Sequence, residues 1–129
     1  MESYAEFDRS SFPVIVVKFT GAKSTDENFK SYLEEMKGLY DDQKILALIF
    51  DSRSASIPQL RHQRMQAHWL KENRSLMENY CRGTAYVISS IPIRTVLRMI
   101  FAITPQPVPY RVVGDMDSAE KWAEERLQD

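Results

Sequence analysis

The feature that most constrains the fold is a run of six apolar residues, Ile45–Phe50, that ends at Asp51. A strand with one face in water alternates apolar and polar side chains, whereas an unbroken apolar run is typical of a strand covered on both faces. Such strands lie inside parallel sheets that have helices packed on either side. The sequence therefore predicts an α/β protein with Ile45–Phe50 in the middle of its sheet.

Four other segments have strand patterns on either side of this run. They are Tyr4–Asp8, Val14–Phe19, Ala85–Ile88 and Arg111–Val113. The first two are close enough in the chain to pair as a hairpin, because Ser10, Ser11 and Pro13 favour a turn between them.

The segments between the strands repeat apolar residues at helical intervals. The predicted helices span Thr25–Leu39, Pro58–Tyr80 with a break near Asn73, Pro92–Ile103, and the stretch from Asp117 onward. The last of these carries Ala119, Trp122, Ala123 and Leu127 on its buried side. The resulting order, β-β-α-β-α-β-α-β-α, predicts a single open mixed sheet whose later strands are parallel.

Short polar residues mark the expected helix starts. Ser24 and Glu27 have the spacing of a capping box, and Pro58 suits the first turn of the second helix. Ser56 and Ser90 precede the second and third helices, and each is expected to cap the helix that follows it.

Length and composition limit the domain organisation and the compartment. The 129 residues fit one domain, residues 1–129, and 43% hydrophobic with 27% charged residues argues against disorder. The single cysteine, Cys81, excludes an internal disulfide, and no apolar run approaches the ~20 residues that span a bilayer. Because the first residues also lack the basic and apolar regions of a signal peptide, we expect a cytoplasmic protein.

Charge is unevenly distributed along the chain. Residues 52–114 carry eight arginines and one lysine but only two acidic residues, so this part has a net charge of +7 and the remainder −8. The arginines either line solvated helix faces or form a basic surface for an acidic partner or a phosphorylated ligand. The pI of about 6.1 and the lack of aromatic residues interleaved with the arginines argue against nucleic-acid binding.

Residue patterns that mark enzymes and metal sites are missing from the sequence. His62 and His68 are six residues apart in a predicted helix, about 240° around its axis, so they cannot bind one metal ion together. Cys81 lacks a CxxC partner, and no glycine-rich phosphate loop or GxSxG motif is present. We therefore expect no metal, no cofactor and no catalytic residues, with both histidines at the surface or half-buried.

The candidate binding residues lie where two central strands are expected to end. In open α/β sheets, ligands bind at the carboxyl ends of the strands, and helix N-termini there favour anions. After the Ile45–Phe50 strand come Asp51, Ser52, Arg53, Ser54 and Ser56, which are the first group. After the Ala85–Ile88 strand come Ser89, Ser90, Arg94 and Arg98, which are the second group. The first group is a candidate phosphorylation or anion-binding turn, and the second supplies candidate contacts to a ligand or partner. The alternative is that Ser56 and Ser90 act only as N-caps.

Three segments carry a resemblance to a known family: LALIFDSR at 46–53, RGTAYVISS at 82–90 and YRVVGDMDSAEKWAEERL at 110–127. With the order of the elements, they resemble the uncharacterised bacterial SpoIIAA-like family over Phe12–Leu127. The fold of that family is related to the STAS domain of anti-sigma-factor antagonists and to CRAL-TRIO lipid-binding domains. The resemblance implies a non-enzymatic regulatory or protein-interaction domain of STAS-like type.

The resemblance also bears on the serine turn. STAS antagonists resemble one another in a loop close to Asp-Ser-Ser-Gly, whose serine a partner kinase phosphorylates. Ser52, Ser54 and Ser56 occupy the corresponding turn here, without the glycine, and Pro58 stands where that loop enters its helix. The resemblance thus implies Ser54 or Ser56 as the phosphorylated residue.

The helix after Ser90 has more apolar residues than one buried face requires. They are Ile91, Ile93, Val96, Leu97, Met99, Ile100 and Phe101. Such a helix can line a cavity for a small ligand or lipid, as in CRAL-TRIO domains, cover a dimer interface, or lie in the core. The surplus apolar surface of this helix and the proline-rich segment after it leads us to expect a homodimer. Ile100, Phe101, Ile103 and Val108 are the residues that carry this surplus.

Overall fold

The structure, a computed structural model, describes residues 2–128, in which five strands form one sheet. The strands are β1 (Ala5–Asp8), β2 (Val14–Phe19), β3 (Leu46–Asp51), β4 (Cys81–Val87) and β5 (Tyr110–Val113). They lie side by side in chain order, with β1 antiparallel to β2 and all other neighbours parallel. The predicted open mixed sheet and its leading hairpin are therefore confirmed.

Helices cover both faces of this sheet. They are α1 (Asp26–Gly38), α2 (Leu60–Glu72), α3 (Arg74–Tyr80), α4 (Ile91–Ile103) and α5 (Met116–Leu127). The first four pack against one face, and α5 packs against the other. The break expected near Asn73 separates α2 from α3, and the side-chain amide of Asn73 donates to the Trp69 carbonyl at 2.9 Å.

The apolar run that predicted a central strand is β3, shifted by one residue. All six of its residues are buried. Leu46, Leu48 and Phe50 belong to the core beneath the four helices, whereas Ala47 and Ile49 belong to the core beneath α5. Because side chains alternate between the faces of a strand, both sides of β3 must be apolar.

The starts of β4 and of the last helix differ from the prediction for identifiable reasons. β4 begins at Cys81, four residues before the predicted Ala85, because Cys81 pairs with Leu46 of β3 although no apolar run marks that segment. The last helix begins at Met116, one residue before Asp117, and its N-cap is Asp115, which accepts from the Ser118 amide at 2.7 Å. Of the four residues predicted on the buried side of this helix, Ala119 and Ala123 are buried, whereas Trp122 and Leu127 are only partly buried.

The predicted cap of α1 is wrong by one residue. Thr25 is the N-cap: its hydroxyl accepts from the Asn28 amide at 3.0 Å, and the Asn28 side chain accepts from the Thr25 amide at 2.8 Å. Ser24 cannot take this role because its hydroxyl is bonded to His62 and Gln59, as described below.

Of the two serine caps, only Ser90 is confirmed. Its side chain accepts from the Ile93 amide at 3.2 Å at the start of α4. Ser56 does not cap α2, because its hydroxyl donates to the Ala22 carbonyl at 2.7 Å. The N-cap of α2 is Gln59, which makes no side-chain capping bond, so Pro58 lies before the helix.

Candidate functional site

An apolar cavity of about 100 Å³ lies between the sheet and α4. Phe19, Phe50 and Tyr86, which line it, stand at or near the carboxyl ends of β2, β3 and β4. The cavity is thus at the edge of the sheet where open α/β folds bind ligands. The helices contribute Tyr32, Met36, Leu70, Met77, Ile93, Val96, Leu97, Ile100 and Phe101.

Three stacked rings form the sheet side of the cavity. Phe50 and Tyr86 are direct cross-strand partners, and their rings stack at 5.0 Å with an angle of 10°. Phe19 stacks on the other side of Phe50 at 6.2 Å and 14°. Aromatic pairs on neighbouring strands stabilise a sheet and here give a flat apolar platform.

The polar groups at the cavity are uncharged. The Tyr32 hydroxyl donates to the Gln66 side chain at 2.9 Å, and the Gln106 amide nitrogen donates to the Tyr86 hydroxyl at 2.6 Å. Burial raises the pKa of both tyrosines well above the ordinary value, so they stay protonated. The Gln106 carbonyl oxygen is buried and has no hydrogen-bond partner among the described residues. No ionisable acid or base other than tyrosine lines the cavity over residues 2–128.

On the side opposite the sheet, α4 covers the cavity loosely. Only Ile100 of its thirteen residues is buried, while Phe101 is partly buried. On the outer surface Ile91 is 80% exposed, and Met99 and Ile103 are also exposed. Of the residues expected to supply a dimer surface, Ile103 is exposed, whereas Ile100 and Val108 lie in the core.

The serine turn after β3 is organised by an ion pair. The Asp51 carboxylate, whose side chain is only 6% exposed, accepts from Nε and Nη2 of Arg53, both at 2.9 Å. These bonds hold the pKa of Asp51 below its ordinary value. Arg53 is therefore engaged by Asp51. Ser52 is buried, and of the three serines in this turn only Ser54 is exposed.

The second group of candidate residues lies on a different surface. Ser90 caps α4, and Ser89 is exposed beside it. Arg94 and Arg98 are exposed and line a groove between α4 and β5. Because Ser52 and Ser56 line the cavity instead, the structure does not bring these arginines and the serine turn into one site.

A serine, a histidine and an aspartate meet at a place that the sequence did not indicate. Nδ1 of His62 is 2.7 Å from the Ser24 hydroxyl, and Nε2 is 2.9 Å from the Asp26 carboxylate. The Asp26 carboxylate can only accept, so Nε2 donates to it, and in the neutral imidazole Nδ1 then accepts from the Ser24 hydroxyl, whose oxygen also accepts from the Gln59 amide at 3.0 Å. The hydrogen bond from His62 is the main cause of a lowered pKa for Asp26.

These residue types act in hydrolases, but their setting here is that of a structural link. Ser24 is 4% exposed and does not line the cavity. His62 is fully buried and stacks on Phe29 at 5.1 Å, so the expectation of a surface or half-buried residue is wrong for His62. His68 is exposed and pairs with Glu72. The cluster joins the start of α1 to the start of α2.

Two possible functional features receive no support from the described part of the chain. Over residues 2–128, no group of three or more His, Cys, Asp or Glu side chains is placed to hold a metal ion. In the same residues, no helix has both the length and the apolar character needed to cross a membrane.

Comparison with known proteins gives one informative result. No protein-family model and no curated protein matches the sequence. The structure is similar to the crystal structure, at 2.25 Å resolution, of an uncharacterised DUF3478-family protein with a SpoIIAA-like fold from Shewanella loihica PV-4. The TM-score is 0.64 and the identity 14%, over 92% of this chain and 91% of that chain. The chain has a SpoIIAA-like fold, as the sequence resemblance implied.

Proposed function

We propose that the protein is a non-enzymatic binding domain that takes a small apolar ligand into the cavity beneath α4. The observation that carries this proposal is a cavity walled by aromatic and aliphatic side chains at the carboxyl ends of the parallel strands. An apolar cavity without charged groups favours ligands whose main contact is dispersion and burial of apolar surface.

The size of the cavity limits the ligand. A dry apolar cavity of about 150 Å³ can hold a benzene-sized molecule, and drug-sized ligands need roughly 300–1,000 Å³. At about 100 Å³, the cavity fits only a short chain or a small ring unless α4 moves outward. Because only one residue of α4 is buried, outward movement of α4 costs less free energy than movement of α1, which has five buried residues. The free oxygen of Gln106 favours a ligand that carries one hydrogen-bond donor.

Thermal unfolding with matched probes tests this function. We expect millimolar phenol to raise Tm more than toluene does, because only phenol can donate to Gln106. Palmitic acid tests whether α4 opens for a long chain. The variant Val96→Trp fills the cavity and should lose the response, whereas Met99→Trp, on the exposed side of α4, should keep it. If no probe raises Tm, or if Val96→Trp responds like the wild type, the proposal is wrong.

Our second candidate is a cytoplasmic regulatory protein-interaction domain of STAS-like type that acts as a homodimer. It is favoured by Ile91, Met99 and Ile103, which expose apolar surface on one helix. Exposed apolar patches are typical of interaction surfaces. Sedimentation should then detect a dimer that Met99→Glu dissociates and Ser31→Glu, at an exposed polar position of α1, does not. A monomer at high concentration would contradict the homodimer.

Phosphorylation is the form of regulation that the STAS resemblance implies. Of the three serines in the turn after β3, Ser54 is the one whose exposure suits a kinase. Ser56 is held by Ala22, and Arg53 is paired with Asp51 rather than free to bind a phosphate. We therefore favour Ser54. Intact-mass analysis of the protein from its native host, across growth phases, would detect the added phosphate.

A further inference from the structure

β5 is the last strand of the sheet, and one of its edges is open. Pro109 and Val113 turn their carbonyl groups toward β4, where they accept from the amides of Thr84 and Ile88 at 3.0 and 3.1 Å. Alternate residues of a strand face opposite edges, so Tyr110 and Val112 direct their backbone N–H and C=O groups outward. No other strand in residues 2–128 pairs with this edge. It is therefore a template for one more strand.

A groove of about 500 Å³ runs beside this edge, between α4 and β5. Tyr110 and Val112 line it, and the Tyr110 ring packs against Phe101 of α4 at 5.1 Å. The residues with outward backbone groups thus also form the apolar side of the groove. This arrangement suits an extended peptide, which can pair with the strand and place alternate side chains against the helix.

The charge of the groove selects the peptide. Arg94 and Arg98 stand on its α4 side, and neither makes an ion pair within the described residues. Arg111 is exposed on β5, and no acidic residue occurs between Glu78 and Asp115. Two copies joined edge to edge through β5 would bring these arginines together, which is unfavourable. The field favours an acidic partner.

The spacing of the two arginines matches a strand. Residues four apart on a helix are about 6 Å apart along its axis. Alternate residues of a strand, which share one face, are about 6.6 Å apart. Carboxylates at alternate positions of the bound peptide can therefore meet Arg94 and Arg98 together. A third alternate position falls one turn further along α4, near Phe101 and Ala102, where an apolar side chain fits.

We propose that the groove between α4 and β5 binds an extended acidic segment of a partner protein as a sixth strand. The segment carries two acidic residues at alternate positions, flanked at the next alternate position by an apolar residue. This inference rests on the second candidate function, protein interaction, and assigns it a surface other than the exposed face of Ile91 and Met99.

A peptide selection tests the proposal on the full chain. Random decapeptides displayed on phage are selected against the protein, and the enriched peptides are synthesised and measured by fluorescence anisotropy. We expect the enriched sequences to contain the alternate acidic pattern. Arg94→Glu with Arg98→Glu should weaken their binding at least tenfold, whereas Arg64→Glu, at an exposed position of α2, should change it less than twofold.

Backbone methylation of the peptide tests the strand pairing without altering the protein. N-methyl groups at the residues whose amides face β5 should abolish binding, and the same groups at the intervening residues should not. Enrichment of no peptide, equal binding by the double glutamate variant, or indifference to the methylation pattern would each overturn the proposal. If Met99→Glu still dissociates a dimer in that case, the second candidate function survives and only the groove assignment fails.

Discussion

A Cβ atom on Gly83 would lie 2.8 Å from Cη2 of Trp122. Gly83 belongs to β4, and Trp122 belongs to α5, which packs on that strand. The small buried side chains of Ala119 and Ala123 bring α5 close to the sheet, and the Trp122 ring then occupies the space that a side chain at position 83 would need. The glycine is thus a packing requirement of this helix, with no unusual backbone angle involved.

We predict that Gly83→Ala destabilises the protein by ~1–3 kcal/mol, the usual cost of overpacking a core. The new methyl group meets Trp122 and also the Arg126 side chain at 3.2 Å, so the ring or the helix must shift. Urea unfolding measures the change. Gly114→Ala is the matched control, because nothing lies within 4 Å of its added Cβ. Equal stability of the two variants would show that the Trp122 ring moves aside freely.

Most of the fold is predictable from the sequence because its signals are local. The apolar run of β3 and the helical spacing of α1 need only neighbouring residues to be recognised. The cap of α1 was mispredicted because Ser24 and Thr25 are both good caps, and a contact with His62, 38 residues away, decides between them. The start of β4 was missed because pairing with β3, rather than composition, makes that segment a strand.

The candidate site was less predictable than the fold. Its position at the carboxyl ends of the strands follows from topology. The cavity itself depends on how far α4 stands from Phe50 and Tyr86, which no sequence pattern encodes. The excess of apolar residues on α4 did indicate that this helix has a second surface. It could not divide those residues between the cavity wall and the exposed side.

Substitution of His62, with His68 as its control, tests whether the cluster of Ser24, His62 and Asp26 joins α1 to α2. His62→Ala removes a buried hydrogen bond to Ser24, a part-buried one to Asp26 and the stack on Phe29, so we expect a loss of roughly 2–4 kcal/mol in the free energy of unfolding. His68→Ala removes only an exposed ion pair with Glu72 and should cost less than about 0.5 kcal/mol. Chemical denaturation measures both. A small loss for His62→Ala would mean that α1 and α2 are joined mainly by other contacts.

The same cluster makes a prediction about reactivity. Ser24 is buried, and its hydroxyl is already bonded to Gln59 and His62, so a fluorophosphonate probe should not label it. Mass spectrometry after prolonged incubation checks this, with a serine hydrolase as the positive control. Labelling of Ser24 that His62→Ala abolishes would contradict the non-enzymatic proposal.

The ion pair of Asp51 and Arg53 should make stability depend on pH. Because the pKa of Asp51 is lowered in the folded protein, its ionised carboxylate adds stability above the unfolded value of about 4. That contribution disappears as the pH falls through the lower folded-state pKa. We therefore expect Arg53→Ala to lower the free energy of unfolding at pH 7, by less than the loss of a fully buried pair would, because Arg53 is half exposed.

Urea unfolding at pH 7 and pH 3 tests this pH dependence. The difference between wild type and Arg53→Ala should be smaller at pH 3 than at pH 7, because pH 3 lies below the ordinary pKa of an aspartate and protonation of Asp51 in the unfolded chain then favours unfolding. Arg74→Ala is the control, because its ion pair with Glu78 is exposed on both sides and should contribute little at either pH. A constant difference between wild type and Arg53→Ala would assign the effect of Arg53 to packing rather than to charge.

The only cysteine should be unreactive in the folded protein. Cys81 is buried at the start of β4, and burial raises the pKa of its thiol to about 11. At pH 8 only about one thiol in a thousand is then ionised, and the thiolate is the form that reacts. We expect the disulfide reagent DTNB to modify Cys81 only as fast as the protein unfolds, and at once in 6 M urea.

Stabilisation by a ligand in the cavity should slow the modification of Cys81 further, since Met77, which shares the core with Cys81, also lines the cavity. Rapid modification in buffer alone would show that the start of β4 opens locally, without global unfolding.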